Sequence, residues 1–382
     1  MAIQKNKICL VGAGLANGML AWFLSKRHPD LPVVIYESKS CIDLGRTWSF
    51  HKSDISPTAF KLMESLAAYR WPAYEVRFPQ FHKRFESEYL SVTPEVLHNE
   101  LLNAGVEFQF SSPIQNVFED HIVFDDGQKQ FFSCVFDGRG FKTSAARLGY
   151  QKFVGQVLRL KKQHGLTAPL LMDATVKQVD GYRFFYTLPL SNNEVLVEDT
   201  RYANNPDLDH DEFANEIARY AKAQGWDIEQ ILKVESGVLP IPLDEERIDA
   251  NSSIKLGMAG GFFHPVTGYS LADCVRMAEG ITELKDINKH TVAELLKNYR
   301  SQQALRRKFY FLLNRMMFLA APDAERRKIF EHFYGLSPAL IERFYSGSTN
   351  AFDALRILTG KPPVDVWPAV RAVFSRKEKE AI

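Results

Sequence analysis

Short apolar runs and helical periodicities alternate along the chain, punctuated by glycine and polar turns. Lys7–Val11 is an apolar run of strand length, Leu15–Arg27 has helical spacing and Val33–Glu37 is a second apolar run, so the chain opens with a βαβ unit. Thr93 followed by Pro94 predicts a helix start, with proline at its first position, running to Ala104. Val106–Phe110, Ile114–Phe118, His121–Phe124 and Phe131–Phe136 predict strands, with Asp125-Asp126-Gly127 as a hairpin turn. In a β-rich middle, strands Tyr182–Leu190 and Glu194–Tyr202 flank Ser191-Asn192-Asn193, and a helix Phe213–Gln224 ends at Gly225. Gly237–Leu243 carries a Leu-Pro-Ile-Pro segment, and Ile254–Ala259 predicts a strand entering a second glycine-rich turn. From about Thr291 the pattern is helical, with many Arg, Phe and Tyr residues and no internal repeat.

Composition narrows the class. The 382 residues, 46% hydrophobic and 24% charged, suit an ordinary globular chain of two or three units. A net charge of +1 gives no reason to expect nucleic acid. Cys9, Cys41, Cys134 and Cys274 are scattered, which argues for a reducing compartment and against a disulfide frame or a zinc site. The histidines show no metal-ligand spacing, so no metal is expected. Met1–Lys7 is too short and polar for a signal peptide, and no run reaches the ~18 apolar residues of a spanning helix. A cytoplasmic protein, soluble or peripheral, is expected.

Candidate chemistry begins at Gly12-Ala13-Gly14-Leu15-Ala16-Asn17-Gly18, between the first strand and helix. Gly12 permits the tight turn and Gly14 lets the backbone approach a pyrophosphate. The helix start, at Leu15 and Ala16, supplies free N–H groups, and Glu37 can accept hydrogen bonds from ribose hydroxyls. An ordinary βα turn with a solvent-exposed Glu37 is the alternative. The third glycine of the usual pattern is Asn17, so close helix–strand packing must be made differently.

The order of later segments resembles flavoproteins of the aromatic-hydroxylase and geranylgeranyl-reductase type, which favours FAD over NAD. Asp137-Gly138 fits their acidic-glycine turn, and the stretch from Gly260-Gly261 through Pro265 to Gly268 fits their second glycine-rich turn. Gly261 stands where those families carry Asp, which puts the usual ribityl contact in doubt and argues against a routine hydroxylase. The resemblance implies an α/β fold: a Rossmann-type FAD fold with two dinucleotide-binding segments, a β-rich substrate domain and a helical C-terminal part. The expected division is 1–50, 91–150 and 252–290 for FAD, 51–90 and 151–251 for substrate, and 291–382 for the helical region.

Four segments read together resemble bacterial lycopene β-cyclases. They are Gly12–Gly18, Thr47-Trp48-Ser49-Phe50-His51, Val197-Glu198-Asp199-Thr200 and His264-Pro265-Val266-Thr267-Gly268-Tyr269-Ser270; Met172–Thr175 and Gly360–Pro363 match as well. That resemblance implies protonation of each terminal double bond of lycopene, ring closure by a neighbouring double bond, and proton loss to leave a β-ionone ring, through γ-carotene to β-carotene. It implies reduced FAD with no net redox change, and NADPH or NADH as the reductant. The substrate would be drawn from the inner face of a membrane, with other carotenoid-pathway enzymes as possible partners. An FAD-dependent isoprenoid reductase or hydroxylase is the second reading, and a non-enzymatic flavin or carotenoid carrier the third.

Glu198 and Asp199 match the acidic pair of the cyclase motif. Side chains alternate along a strand, so Val195, Val197 and Asp199 share one face, and Leu196, Glu198 and Thr200 the other. Only one acid projects into a given pocket; alternation does not say which, and we take Glu198. At a reference pKa of ~4.3, holding a Glu protonated at pH 7 costs roughly 3.7 kcal/mol, which burial among apolar groups removes. A charge cluster of the pair with Arg183 and Arg201 on an exposed edge strand is the alternative. Trp48, Phe50, Tyr182, Phe184, Phe185 and Tyr186 are candidate cavity walls, able to steady a cation, or simply core. His51 and His264 are candidates for the final base or for structural hydrogen bonding. Arg306–Leu319 mixes cations with large apolar groups, as either an interfacial helix or one packed on the core.

Overall fold

A computed structural model describes residues 3–140, 147–245 and 253–359; the Gly360–Pro363 segment lies outside them. In chain order the elements are β1 (Ile3–Val11), α1 (Leu15–Arg27), β2 (Val33–Tyr36), β3 (Trp48–His51), α2 (Pro57–Met63), β4 (Tyr69–Trp71), β5 (Tyr74–Phe78), β6 (Phe81–Phe85), β7 (Tyr89–Val92), α3 (Pro94–Asn103), β8 (Glu107–Gln109), β9 (Ile114–Val117), β10 (His121–Phe124) and β11 (Lys129–Asp137). They continue through β12 (Leu148–Leu160), β13 (Leu170–Asp173), β14 (Tyr182–Pro189), β15 (Glu194–Ala203), α4 (His210–Ala223), β16 (Ile228–Pro242), β17 (Ile254–Lys255), α5 (Leu271–Thr282), α6 (Lys289–Arg315), α7 (Arg326–Tyr334), α8 (Pro338–Tyr345) and α9 (Ala351–Leu358).

The first sheet has the order β8-β2-β1-β11-β10-β9, with β17 added to β11. Its centre is parallel, β1 lying between β2 and β11. Ile8 and Leu10 pack in the core that contains α1 and α5, whereas Cys9 and Val11 pack with Ile114, Ile122 and Val135 in the cluster on the other face. A strand buried on both faces reads as an unbroken apolar run, which is why Ile8–Val11 shows no alternation. At α3, Thr93 Oγ1 accepts from the Val96 N–H at 3.4 Å and Pro94 occupies the first turn.

The second sheet, β16-β12-β15-β14-β13-β5-β6, is antiparallel apart from β13 with β5. The helix α4 covers one face, Phe213, Ile217 and Tyr220 packing with Val154, Phe185, Val195 and Val197. On the opposite face Phe184, Leu196 and Tyr202 pack in the core shared with Tyr334 of α7 and Ile341 of α8. A third sheet, β3-β7-β4, is interleaved with the other two in sequence and supplies part of the cavity wall described below.

Two expectations change, and a third stretch takes one of its two readings. The strand around the Leu-Pro-Ile-Pro segment starts at Ile228, well before Gly237; Ile231, Leu232 and Val234 stay exposed on this edge strand, so no burial pattern marks it. The strand expected over Ile254–Ala259 stops at Lys255, because Gly257 takes φ +58° and Gly257–Gly260 coils into a 3₁₀ turn. In Arg306–Leu319, Tyr310, Phe311, Asn314, Met317 and Phe318 are buried, so this stretch packs mainly inward and leaves Leu319 exposed, as is Leu305 just before it. Among the described residues no helix is long and apolar enough to cross a membrane.

Candidate active site

At the end of β1 the chain turns through Gly12, φ +96°, whose N–H donates to Tyr36 O at 2.7 Å. Glu37 lies beside this turn, one carboxylate oxygen accepting from the Ala13 N–H at 2.8 Å and the other from the Lys39 N–H at 2.9 Å. Gly14 caps α1 without a side-chain hydrogen bond, no acid stands in the first turn, and a Cβ added at Gly14 would meet nothing within 4 Å. Open space therefore faces an uncapped helix N-terminus, an arrangement suited to a phosphate. Asn17 is wholly buried and does the work of the missing third glycine. Its Nδ2 donates to Val11 O at 2.9 Å and Gly12 O at 2.8 Å, stapling helix to strand. Gly138 leaves room for that amide, since a Cβ there would come within 2.5 Å of Asn17 Nδ2.

The later turns are shaped by their own cations. Asp137 accepts from Arg139 Nε at 2.9 Å and Nη2 at 3.0 Å, so its carboxylate braces the turn. A Cβ at Gly260 would lie 2.3 Å from Lys255 O, and Gly261 takes φ +75°. Arg300 donates to Gly260 O and Arg307 to Gly261 O, while Asn314 Nδ2 holds Pro265 O at 2.9 Å. The turn closes with the Gly268 N–H on His264 O at 2.9 Å. Ser270 then starts α5 without a side-chain cap.

Leu15 from the first turn and Thr267–Leu271 from the second line one cavity. Two uncapped helix starts, the open approach at Gly14 and the acid at Glu37 are the groups that would hold a dinucleotide. Trp48, Phe50, Tyr89, Phe184, Tyr186 and Met172 make much of the remaining wall. Of the other aromatic candidates, Phe185 points to the α4 side and stacks on Tyr220 at 4.0 Å, and Tyr182 stacks on Phe330 at 4.1 Å.

Glu198 lines this cavity. Register places Tyr186, Glu198, Gly155 and Glu235 abreast on one face of β14, β15, β12 and β16. Gly155, having no side chain, makes room for that of Glu235, whose Cγ would lie 3.0 Å from a Cβ there; the Cα atoms of the two acids are roughly 10 Å apart at two strand spacings. Burial and the neighbouring Glu235 push Glu198 up to about 8, against a single opposing hydroxyl, Thr200 Oγ1 at 2.6 Å. Glu235, whose carboxylate takes the Thr47 hydroxyl at 3.2 Å, is pushed by burial up to about 7. Tyr186 OH donates to Ser49 Oγ at 3.0 Å, within a hydroxyl cluster that includes Ser91 and Tyr89.

Asp199 points the other way. Wholly buried, it is clasped by Arg183 at 2.9 and 2.8 Å and approached by Arg201 Nη2 at 3.0 Å. Glu216 and Glu212 complete the network from α4. The expected Arg183–Arg201 cluster exists, but it is interior.

His51 lines the cavity, and burial depresses it to about 3; its Nδ1 has no partner. His264 faces Tyr310 and Phe344 and lines a neighbouring cavity, separate from Glu198; burial lowers it to about 4. Asp54 and Glu235 are the cavity acids that sequence reasoning missed. Only the Lys-Ser-Asp following Trp-Ser-Phe-His hinted at the first, and strand pairing alone reveals the second. Among the described residues no three His, Cys, Asp or Glu side chains are grouped to hold a metal ion.

Comparison with known proteins agrees in pattern and in shape. The family described as "Lycopene cyclase protein" matches residues 7–370. A lycopene beta-cyclase of Pseudescherichia vulneris is 40% identical, over 96% of this chain and 97% of that protein. One from Pantoea ananas is 37% identical, over 96% and 98%. Among solved structures, a geranylgeranyl bacteriochlorophyll reductase-like protein of Thermoplasma acidophilum superposes with TM-score 0.60 at 12% identity, covering 94% of this chain and 96% of that one. The flavin-dependent brominase Bmp2 gives TM-score 0.62 at 12% identity, covering 92% and 96%. At such identity the likeness concerns the fold, that of flavin-dependent oxygenases and reductases.

Proposed function

The chain belongs to the lycopene cyclase family, and we propose that it closes the β-ionone rings of lycopene by proton transfer from Glu198. The observation that carries this reading is an acid pushed up to about 8 on the wall of a largely aromatic cavity. A carboxyl in that state keeps its proton at neutral pH, so the ~3.7 kcal/mol that a solvated Glu would need is not required. Glu198 delivers the proton to the terminal double bond. The tertiary cation is attacked by the neighbouring double bond, and proton loss leaves the ring, with atoms and electrons unchanged overall. Phe184, Tyr186 and Trp48 shield the cation from water and offer it π-faces, worth on the order of 1 to 2 kcal/mol each when desolvated.

Gly12, Gly14, the α1 N-terminus and Glu37 would hold the adenosine diphosphate part of FAD, and Thr267–Leu271 its ring. When bound and reduced, FAD supplies fixed negative charge beside the developing cation. NADPH or NADH is the proposed reductant. Lycopene is a hydrocarbon, and at ~0.8 kcal/mol per methylene-sized unit its transfer into water is prohibitive. We therefore take a bilayer as its source, approached through exposed apolar groups such as Leu305, Phe352 and Leu355.

Expression in lycopene-accumulating bacteria tests the reading: red pigment should become orange-yellow β-carotene. Unchanged lycopene beside folded, flavin-loaded protein overturns it, and a hydrogenated or oxygenated product points to the reductase or hydroxylase alternative.

A further inference from the structure

Ring closure needs a group that removes a proton as well as one that gives it. Asp54 lies in the short turn after β3, on the wall that includes α5, whereas Glu198 comes from the seven-stranded sheet; both line the same cavity. Asp54 is 2% exposed. Its Oδ2 accepts from the His51 N–H at 2.8 Å and lies 3.4 Å from Tyr269 OH. Arg276 of α5 reaches the Asp54 carbonyl, and its guanidinium charge acts on the carboxyl. The other oxygen, Oδ1, is buried without a hydrogen-bond partner. One oxygen is thus anchored and the other is left unpaired in the wall of the cavity, at the cost of an unsatisfied buried acceptor.

Burial raises both acids, but their polar neighbours differ. Burial raises Asp54 to about 7, and the polar groups against it (an amide N–H, a guanidinium and a phenol) pull it back toward its charged form, with Glu342 opposing them. Around Glu198 only the Thr200 hydroxyl favours charge, while Glu235 and Asp199 oppose it. At about 7, Asp54 gives up its proton more readily than Glu198 at about 8, and a group titrating near the working pH suits a base. Of the other cavity groups with an unpartnered acceptor atom, Gln151 offers only an amide oxygen and His51 is far less basic.

We propose that Asp54 is a second catalytic residue: the base whose Oδ1 takes the proton from the ring carbon bearing the polyene chain. This rests on the cyclase reading above. The C–H bond breaks, its electron pair becomes the ring double bond, and the proton ends on Asp54. It returns to Glu198 between closures, so none is consumed.

The experiment compares wild type, Asp54→Asn and Asp54→Glu as flavin-loaded full-length protein, with lycopene in phosphatidylcholine vesicles, in H₂O and in D₂O. Asparagine can still accept from the His51 N–H but is a poor base. Its rate should fall on the order of 10²-fold, and part of the product should carry the ring double bond elsewhere, because the cation loses a proton from an adjacent methylene or methyl group instead. Asp54→Glu, which retains a carboxylate, should return product to the β form. If Asp54→Asn makes no ring at all, lycopene recovered from D₂O should contain deuterium, showing protonation that reverses for want of a base. Exclusively β rings at the wild-type rate overturn the proposal, as does loss of turnover with no deuterium in recovered lycopene. Should Asp54→Asn fail to fold, Asp54→Ser takes its place with the same outcomes. A wild type that makes no ring would sink the cyclase reading itself, a result distinct from any of these.

Discussion

Glu198 and Asp199, adjacent in the chain, stand on opposite faces of the seven-stranded sheet, one lining the cavity beside Phe184 and Tyr186, the other locked between Arg183 and Arg201 beneath α4. A single peptide step thus separates a proton-holding acid from a structural ion pair, because successive strand side chains point opposite ways.

Replacing these neighbours should therefore give different phenotypes. Glu198→Gln should keep fold and flavin yet lose about 10²- to 10⁴-fold in cyclisation, the range expected for a missing general acid. Asp199→Asn leaves two buried guanidinium groups short of a partner and should cost about 3 to 5 kcal/mol of stability. Cyclisation rate per bound flavin, with urea unfolding of both variants, separates the effects. A dead Asp199→Asn of normal stability beside an active Glu198→Gln would reverse the assignment.

Activity should decline as pH rises through about 8, where Glu198 loses its proton. Stability moves in the same direction. The folded-state value is raised above the unfolded one, so the contribution of Glu198 is whole below about pH 4.5 and is lost as pH rises through about 8. Glu198→Gln should accordingly gain at least about 1 kcal/mol relative to wild type between pH 5 and pH 8. Urea midpoints at the two pH values measure this, and an unchanged difference counts against a protonated Glu198.

Gly14→Val isolates the cofactor. Its backbone is extended, with φ −85° and ψ 179°, and an added Cβ meets nothing within 4 Å, so the fold should tolerate the substitution. Thermal unfolding without flavin should be unchanged while flavin affinity falls at least about tenfold, since the added methyl groups occupy the pyrophosphate approach. Fluorescence titration with FAD provides the reading. Equal affinity would place the dinucleotide elsewhere.

Membrane contact is tested at α9, where Phe352 and Leu355 lie three residues apart and are both exposed. Changing both to Ser should weaken flotation with anionic vesicles several-fold without altering the urea midpoint. Undiminished flotation would move the contact to another surface.

The opening βαβ unit, the hairpin turns, the Thr93–Pro94 helix start and the strand carrying Glu198 were legible locally, because periodicity, caps and turn residues act over a few positions. The same was true of the family pattern, whose glycines and acids sit at short, fixed spacings. Even the separation of Glu198 from Asp199 followed from strand alternation; which face meets a cavity did not. That was decided by α4 covering the Asp199 face and by Trp48 and Phe50 closing the other. Long-range pairing likewise brought Glu235 level with Glu198 across Gly155, and only the packing of the β3 turn against α5 enclosed Asp54. Burial and the charges of distant segments set how readily a carboxyl holds its proton. Those quantities depend on what the whole chain folds against each group, so for Glu198, Glu235 and Asp54 the tertiary structure alone determined them.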